Sequence, residues 1–412
     1  MKNVNRRLLI IATALVSFAC IMAVGVLIYL DYDNNKAVPA IVISEDTVPE
    51  EPIPIVEPQP DFVTLVAAGD NLFHTVVYNA SLIEQSYVFD PLYEYIKPYI
   101  EPADIAFINQ ETVLGGAAFG LSGYPQFNTP QELAQTLSAV GFDMVNHATN
   151  HSMDRGEAAL RATMTLWDSI PQVKYLGIRA EQDQEPGVVL EKNNIIFGFL
   201  AYTYGTNGLA VPADKQYLVS LINREKMAEE IDALRPRCDV LVVSMHWGEE
   251  YQPHQNAGQE ALAAFLAEHK VDIVLGHHPH VLQPVALIPR DGSEPMLCFY
   301  SLGNFLSAQK PLATLLGGIA YVKIQKFESH VSIAEYGVIP TVTHYEKNYT
   351  NFRVYPLHSY SEDLALLHEQ TGPAMQSGYF NTQGTALLGD VQILYNPFDL
   401  RNENSVGTDP AS

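Results

Sequence analysis

Short apolar runs rich in Val, Ile, Leu and Phe recur along the chain, and segments of helical character separate many of them. Runs of this length and composition are typical of buried strands in sheets that are covered on both faces. The strand-like runs are VTLVAAGD, ADIAFINQE, DMVNHATNH, VKYLGI, IIFGFLAYTYG, DVLVVSMHWG, DIVLGHH and MLCFYSLGNF. Their alternation with helices predicts an α/β domain whose sheets are covered by helices.

The helices between these strands carry their own start and stop signals. Thr129 is interpreted as an N-cap, because a proline follows it and Glu132 completes a capping box. Gly141 follows the last turn of this helix, a position that often takes a left-handed glycine. Other helices are predicted at residues 155–168, 224–234 and 258–270.

Beyond Phe305 the pattern changes to a period of two. GGIAYVKIQKF and SHVSIAEYGVIPTVTHY alternate apolar and polar positions, which predicts an antiparallel pair of strands. We expect this pair to complete the same domain, which is assigned to residues 62–400. Residues 401–412 are polar and are predicted to form a loose tail.

The N-terminal segment differs from the rest of the chain. Residues 8–30 are uncharged and mostly apolar, and the run is long enough to cross a bilayer core of about 30 Å as a single transmembrane helix. Basic residues precede it and acidic residues follow it, so residues 1–7 are predicted to be cytoplasmic and the main domain extracytoplasmic. A cleaved signal peptide is the alternative, although its apolar region is usually shorter.

Residues 31–61 are acidic and rich in proline. Proline and like charges both extend a chain, so this segment is predicted to be a stalk between the membrane anchor and the domain. A disordered linker would give the same topology.

The chain carries 23 basic and 47 acidic residues, for a net charge of −24. This charge disfavours binding to nucleic acid and to anionic lipid. An anionic substrate would need local cations, such as bound metal ions. The acidity would equally serve to keep an exported protein soluble.

Acidic, amide and imidazole side chains follow the strand-like runs. The carboxyl ends of parallel strands open onto a shared crevice, so we expect these side chains to meet there. Carboxylates, an amide oxygen and imidazoles suit two divalent transition ions, such as Mn, Fe or Zn, better than Mg or Ca. The candidate metal ligands are Asp70, Glu111, Asn150, His246, His278 and His280, with His74 and Glu249 as further candidates.

Two short segments supply most of the histidines. His278 and His280 are two residues apart, and in an extended chain both imidazoles would face one ion. His277 would then face elsewhere and either have a structural role or support the site from outside the ligand set. Glu249 and Glu250 fit contacts around the metal or with a substrate amine, and a solvated loop explains them equally well.

Several motifs occur in the same order as in a known family. They are GDNLFH, NQETVL, FNTP, NHATNHSMDRG, SMHWGEEY, GHHPHVLQP and FYSLGNF. The series resembles the capsule-synthesis family typified by CapA, which is associated with poly-γ-glutamate and is similar in fold to the calcineurin-like metallophosphoesterases. The resemblance implies a four-layer α/β/β/α sandwich with a two-metal crevice.

The resemblance also implies roles for individual residues. Asp70 resembles the first-motif aspartate and Asn150 the metal-binding asparagine. His246 resembles the single histidine of the fourth motif, and His278 with His280 the final histidine pair.

His151 resembles the histidine that assists the leaving group, and it is the predicted catalytic residue. Two positions depart from the phosphoesterase pattern. His74 lies four residues after Asp70 rather than two, and Glu111 stands where a bridging aspartate is expected. Occupancy by two metals, and with it phosphatase activity, therefore stays open.

Three functions follow from these observations. The first is a membrane-anchored extracytoplasmic protein of capsule or poly-γ-glutamate biosynthesis and export, with a metal-dependent hydrolase-like site that acts on a phosphate or a γ-amide. The second is a non-catalytic scaffold that binds the polymer, and the third is a metal-dependent phosphodiesterase. Expected partners are an anionic polymer such as poly-γ-glutamate, the membrane and other membrane subunits of capsule synthesis.

Overall fold

The computed structural model describes residues 59–370, 377–389 and 391–398, together with Met22. Apart from Met22, these residues belong to the second of two units into which the chain divides, Gln59–Ser412. The predicted membrane helix, most of the stalk and the polar tail lie outside the described residues. Within the described residues, no helix has the length and apolar character needed to span a membrane.

The first of two large sheets has eight strands. They are β1 (Asp61–Asn71), β4 (Ile105–Gln110), β5 (Met144–Asn146), β6 (Lys174–Leu176), β13 (Asn304–Leu306), β14 (Leu316–Phe327), β15 (His330–Glu346) and β16 (Thr350–Pro356). Their order is β16-β15-β14-β1-β4-β5-β6, and β13 pairs with the end of β1. Strands β1, β4, β5 and β6 are parallel, whereas β14, β15 and β16 are antiparallel. The antiparallel pair predicted beyond Phe305 is therefore confirmed as β14 and β15.

The second large sheet has six strands. They are β7 (Val188–Lys192), β8 (Ile195–Thr203), β9 (Val240–His246), β10 (Ile273–His277), β11 (Val285–Arg290) and β12 (Ser293–Phe299). Their order is β11-β12-β10-β9-β8-β7, with a parallel centre and antiparallel edges at β7 and β11. A small hairpin of β2 (Leu82–Ile83) and β3 (Ser86–Tyr87) lies outside both large sheets.

Among the described residues, six α-helices lie between strands and two follow the last strand, β16. They are α1 (Thr75–Ala80), α2 (Asp90–Tyr93), α3 (Glu132–Val140), α4 (Gly156–Asp168), α5 (Arg224–Leu234), α6 (Ala257–Glu268), α7 (Glu362–Leu367) and α8 (Ser377–Leu388). Helix α6 begins with a capping box, in which the Asn256 side chain accepts the backbone N–H of Gln259 at 2.9 Å. Such caps satisfy backbone donors that the first turn of a helix leaves unpaired.

Buried apolar side chains form a layer on each side of each large sheet. Phe107 and Phe199 belong to the layer between the two sheets. Leu137 of α3 and Trp167 of α4 pack on the outer face of the first sheet, and helices α5 and α6 pack on the outer face of the second, for example through Ile231. The predicted α/β fold is confirmed, and its layers follow in the order helices, sheet, sheet, helices that the resemblance implied.

Two local predictions are wrong. The helix expected to begin at Thr129 begins at Glu132, because the Thr129 hydroxyl lies 2.7 Å from the hydroxyl of Thr112 and caps no helix. Gly141 ends this helix with a φ of 111°, as predicted. The run MLCFYSLGNF is not one strand, since β12 ends at Phe299 in the second sheet and β13 begins at Asn304 in the first.

Candidate metal centre

The two sheets bring the carboxyl ends of their parallel strands to one crevice. From the first sheet come a residue near the end of β1, the residue that follows β4 and a turn that follows β5. From the second sheet come the last residue of β9 and a turn that follows β10. In that order the residues are Asp70, Glu111, Asn150 with His151, His246, and His278 with His280.

Glu111 occupies the centre of this arrangement. It belongs to two groups of three buried side chains whose ligand atoms lie within 4.8 Å of one another, one with His246 and His278 and the other with Asp70 and His280. Its Oε1 lies 3.7 Å from Nε2 of His246 and 3.8 Å from Nε2 of His280. A carboxylate shared by two ligand groups has the position of a bridging ligand.

Asn150 adds an amide oxygen to the group of Glu111, His246 and His278. Its Oδ1 lies 2.9 Å from Nε2 of His246, and its amide nitrogen donates to Oδ1 of Asn207 at 3.2 Å. The contact with Asn207 fixes which end of the amide faces His246. The oxygen is therefore directed at the atoms that would share an ion with it.

Asp70 is fully buried and well supplied with donors. It accepts the amide of Asn109 at 2.8 Å and the backbone N–H of His278 at 3.2 Å, and Nδ1 of His280 lies 3.0 Å from its Oδ2. Burial raises the pKa of Asp70, but the hydrogen bond and charge of His280, together with His277 and Asn109, lower this pKa below its usual value. Asp70 thus orients His280, and one of its carboxylate oxygens lies within 4.8 Å of ligand atoms of Glu111 and His280.

The chemistry of Glu111 tests whether a cation fits here. Both of its carboxylate oxygens are buried and accept no hydrogen bond from the residues that the structure describes. Burial raises the pKa of Glu111 well above its usual value. An unpaired buried carboxylate costs several kcal/mol, a cost that coordination to a cation removes. With imidazole nitrogens and an amide oxygen beside it, the donor set fits a divalent transition ion.

The histidine pair reaches the crevice by a route that differs from the prediction. Strand β10 ends at His277, and His278 and His280 have φ values of 95° and 61°. They lie in a strained turn rather than in an extended chain, so the expected alternation of side chains does not explain their common direction. Residues held in this region typically cost about 1–3 kcal/mol each and cluster at functional sites.

His277 lies beneath the crevice. Its ring stacks on Phe107, its Nδ1 is 3.6 Å from Oδ1 of Asp70, and burial lowers its pKa to about 4. None of the three groups found among the described residues includes it.

His151 forms a pair with Asp154, a residue that sequence reasoning missed. Nδ1 of His151 lies 2.7 Å from Oδ2 of Asp154, which also accepts the backbone N–H of Phe127 at 2.6 Å. The Phe127 ring packs edge-on against the imidazole, with 4.7 Å between centroids. An Asp three residues after a His within a polar turn is the signal that could have identified the pair.

The two further candidates lie outside these ligand groups. Nδ1 of His74 is 3.2 Å from the Leu72 carbonyl and 3.3 Å from the Ala308 nitrogen, and burial lowers the pKa of His74 to about 4. The Glu249 side chain accepts from Asn256 at 3.5 Å. Its neighbour Glu250 belongs instead to a third group, which contains His278 and His280.

The loop after β8 forms one wall of the crevice. Tyr204 is 48% exposed, and its ring lies parallel to that of His246 at 6.4 Å and 4.7 Å from that of His278. Asn207 in the same loop contacts both Asn150 and His151. Tyr204 and Asn207 of the AYTYGTNG run therefore face the site. Tyr202 is instead buried, and its hydroxyl donates a hydrogen bond to Glu230 at 2.8 Å.

Comparison with known proteins identifies related sequences. The family model "Bacterial capsule synthesis protein PGA_cap" matches residues 64–309, a range that contains every candidate ligand described above. The capsule biosynthesis protein CapA of Bacillus anthracis is 26% identical over 267 residues, which cover 62% of this chain and 62% of that protein. The PGA biosynthesis protein CapA of Bacillus subtilis (strain 168) is 27% identical over 237 residues, which cover 53% and 57%. The matched part thus spans less than two thirds of each relative.

Solved structures with a similar arrangement include two of low sequence identity. The calcineurin-like phosphoesterase YfkN from Bacillus subtilis is 15% identical, with a TM-score of 0.42, and the match covers 68% of this chain and 91% of that one. The NAD nucleotidase NadN of Haemophilus influenzae is 10% identical, with a TM-score of 0.44, and the match covers 81% and 58%. The family model covers more than half of the chain, and the protein belongs to the bacterial capsule synthesis family PGA_cap.

Proposed function

We propose that this chain is a membrane-anchored extracytoplasmic protein of capsule biosynthesis and export, whose crevice is a metal-dependent hydrolase site for an anionic polymer such as poly-γ-glutamate. The position of Glu111 carries the proposal. A buried carboxylate that accepts no hydrogen bond from the described residues, 3.7 Å and 3.8 Å from two imidazole nitrogens, is suited to bridge two cations. The family match supports the capsule role.

The proposed centre holds two divalent transition ions, of which Mn, Fe and Zn all suit the donors. Glu111, Asn150, His246 and His278 would hold one ion, and Asp70, Glu111 and His280 the other. Two such ions, when bound, lower the pKa of water and offset the charge that develops during an in-line displacement.

His151 would be the general acid that the protein itself supplies. Asp154 is 2.7 Å from Nδ1 of His151 and favours the tautomer in which Nδ1–H donates to the carboxylate. Nε2 is then the nitrogen that exchanges a proton with the leaving group of a bound substrate. Phe127 packs against the ring and limits its rotation.

The negative net charge of the chain supports a role for bound cations in attracting an anionic polymer. The chain has a net charge of −24, so a polyanion would be repelled by the protein surface as a whole. Ions in the crevice would offset this repulsion where the polymer binds. Poly-γ-glutamate offers a γ-amide bond, and a phosphodiester is the alternative target.

Location and partners form part of the same proposal. Residues 8–30 would anchor the chain in the cell membrane with the N-terminus in the cytoplasm, and the domain would act outside. Other membrane subunits of capsule synthesis would deliver the polymer to it. Protease added to intact cells should then remove the domain without access to residues 1–7, and a protected domain would contradict this topology.

Metal reconstitution of the full chain in detergent tests the site. We expect about two Mn ions per chain, together with cleavage of poly-γ-glutamate or of a chromogenic phosphodiester that Glu111→Gln abolishes. Fewer than one transition ion per chain would overturn the metal centre. Polymer binding with full metal content but no turnover on either substrate would overturn the hydrolase and favour the scaffold.

A further inference from the structure

We propose that Glu250 is a third carboxylate ligand of the metal centre, supplied from the solvent side beside His278 and His280. The inference rests on the proposed function, because it names a ligand of the same centre. Glu250 has an oxygen that lies within 4.8 Å of a ring nitrogen of each histidine, and both of these histidines also belong to the buried groups that include Glu111. It is the exposed member of an otherwise buried set.

The backbone fixes this position. The loop after β9 turns at Gly248, with a φ of 86°, and at Tyr251, with a φ of 65°. The N–H of Tyr251 donates to the carbonyl of Pro279 at 2.8 Å, which attaches the loop to the residue between His278 and His280. A left-handed tyrosine is an uncommon conformation that costs free energy and is retained where the surroundings determine it. The strained loop thus brings Glu250 to the histidine pair.

Its neighbour shows that this placement is specific. Glu249 has the same side chain, but its Oε1 is 3.5 Å from the amide of Asn256. None of the three groups found among the described residues contains Glu249. The loop therefore directs one of two consecutive carboxylates to the crevice and the other away from it.

The ligand count leaves a place for Glu250. The group of Asp70, Glu111 and His280 has three members, and none of the three groups found among the described residues contains His74, whose Nδ1 contacts the backbone of Leu72 and Ala308. Transition ions in catalytic sites commonly take three protein ligands and keep further positions for water or substrate. An exposed carboxylate can occupy such a position and yield it to a substrate oxygen.

A third carboxylate also changes the charge of the crevice. It strengthens the binding of divalent cations, since affinity rises with the number of charged ligands. It also lowers the net positive charge that the loaded site presents to an anionic polymer. Glu250 would therefore set both how firmly ions are held and how readily a polyanion is released.

Titration of the full chain with Mn²⁺ alone, followed by calorimetry and by the electron paramagnetic resonance of the bound ions, tests the assignment. Glu250→Gln should weaken one of the two binding events by about 10–100-fold, whereas Glu249→Gln should bind as wild type. Glu250→Asp, which keeps the charge, should recover part of the affinity. Wild-type affinity in Glu250→Gln would overturn the inference.

Glu111→Gln in the same titration separates this inference from the proposed function. If Glu111→Gln loses ions while Glu250→Gln does not, the metal centre stands and the role of Glu250 is overturned. If neither variant differs from wild type, the metal centre itself is wrong, and both proposals fail.

Discussion

The side-chain oxygen of Asn150 lies 2.9 Å from Nε2 of His246, although 96 positions separate the two residues. Asn150 follows β5 of the first sheet, and His246 ends β9 of the second. The contact therefore depends on the packing of one sheet against the other. Substitution of either residue should therefore alter the site formed between the sheets, rather than the structure of one sheet.

Substitutions of the candidate ligands should distinguish the two proposed ions. We expect His246→Ala and His280→Ala each to weaken the binding of one ion, because each histidine belongs to a different group with Glu111. Glu111→Ala should weaken both, since it removes the shared ligand. Metal content after dialysis, measured by elemental analysis, distinguishes the three variants.

His330→Ala is a suitable control for these variants, because His330 is exposed and begins β15 on a part of the sheet remote in sequence from every ligand. It should retain the metal content of the wild type. Equal losses in all four proteins would indicate a general effect of histidine or charge removal and contradict the two-group arrangement.

The pair of His151 and Asp154 should affect turnover without affecting metal content. His151→Gln removes the proposed proton donor and should lower kcat by about 10²–10⁴-fold. Asp154→Asn keeps the shape of the side chain but loses the charge that orients Nδ1 of His151, so a smaller loss is expected. Steady-state kinetics with parallel metal analysis tests both, and loss of ions from His151→Gln would contradict a purely catalytic role.

Buried His147 should make the domain sensitive to acid. Its Nε2 accepts the indole N–H of Trp167 at 2.8 Å, and burial lowers the pKa of His147 from 6.5 to about 3. The unfolded chain takes up this proton more readily than the folded one. Above about pH 6.5, neutral His147 therefore does not lower the free energy of unfolding. As the pH falls toward 3, the free energy of unfolding decreases, by about 3 kcal/mol at pH 4.

Urea unfolding between pH 7 and pH 4 measures this effect. His147→Gln keeps an acceptor for Trp167 but cannot be protonated, so its free energy of unfolding should depend less on pH than that of the wild type. An unchanged pH dependence in the variant would show that His147 does not control acid stability.

Gly276 permits a close approach between β10 and the backbone of Tyr300, just before the turn that contains His278 and His280. A Cβ at this position would lie 2.0 Å from the carbonyl oxygen of Tyr300, a backbone atom that moves only if β10 and β12 separate. Gly276→Ala should destabilise the domain by about 1–3 kcal/mol and weaken metal binding at His278 and His280.

Gly205→Ala is the matched control, because nothing lies within 4 Å of a Cβ built there. It should change the free energy of unfolding by less than about 0.5 kcal/mol. Thermal and urea unfolding of both variants tests the comparison, and a fully stable Gly276→Ala protein would contradict the steric argument.

The sequence predicts those parts of the site that lie at the ends of strands. Asp70, Glu111 and His246 end or follow apolar runs, and parallel strands bring such positions to one edge. The α/β fold follows from the same alternation of runs. These features depend on local patterns, which a sequence displays directly.

Other features depend on contacts that no local pattern displays. Glu249 and Glu250 are adjacent and chemically identical, and the loop conformation, with its hydrogen bond from Tyr251 to Pro279, places Glu250 beside the histidines. In the sequence Thr129 resembles an N-cap, but in the structure its hydroxyl contacts that of Thr112. Similarly, nothing in an unbroken apolar run indicates that the chain leaves the second sheet after Phe299 and joins the first at Asn304.

The six candidate ligands that sequence and structure share are divided evenly between the sheets. Asp70, Glu111 and Asn150 come from the first, and His246, His278 and His280 from the second. An ion held by both halves acts as a cross-link across the domain and adds stability by mass action, about 2.7 kcal/mol at an ion concentration 100 times its Kd. At the proposed extracytoplasmic location, scarcity of metal would loosen the two halves and expose the protein to proteolysis, so the supply of ions would govern its lifetime as well as its proposed chemistry.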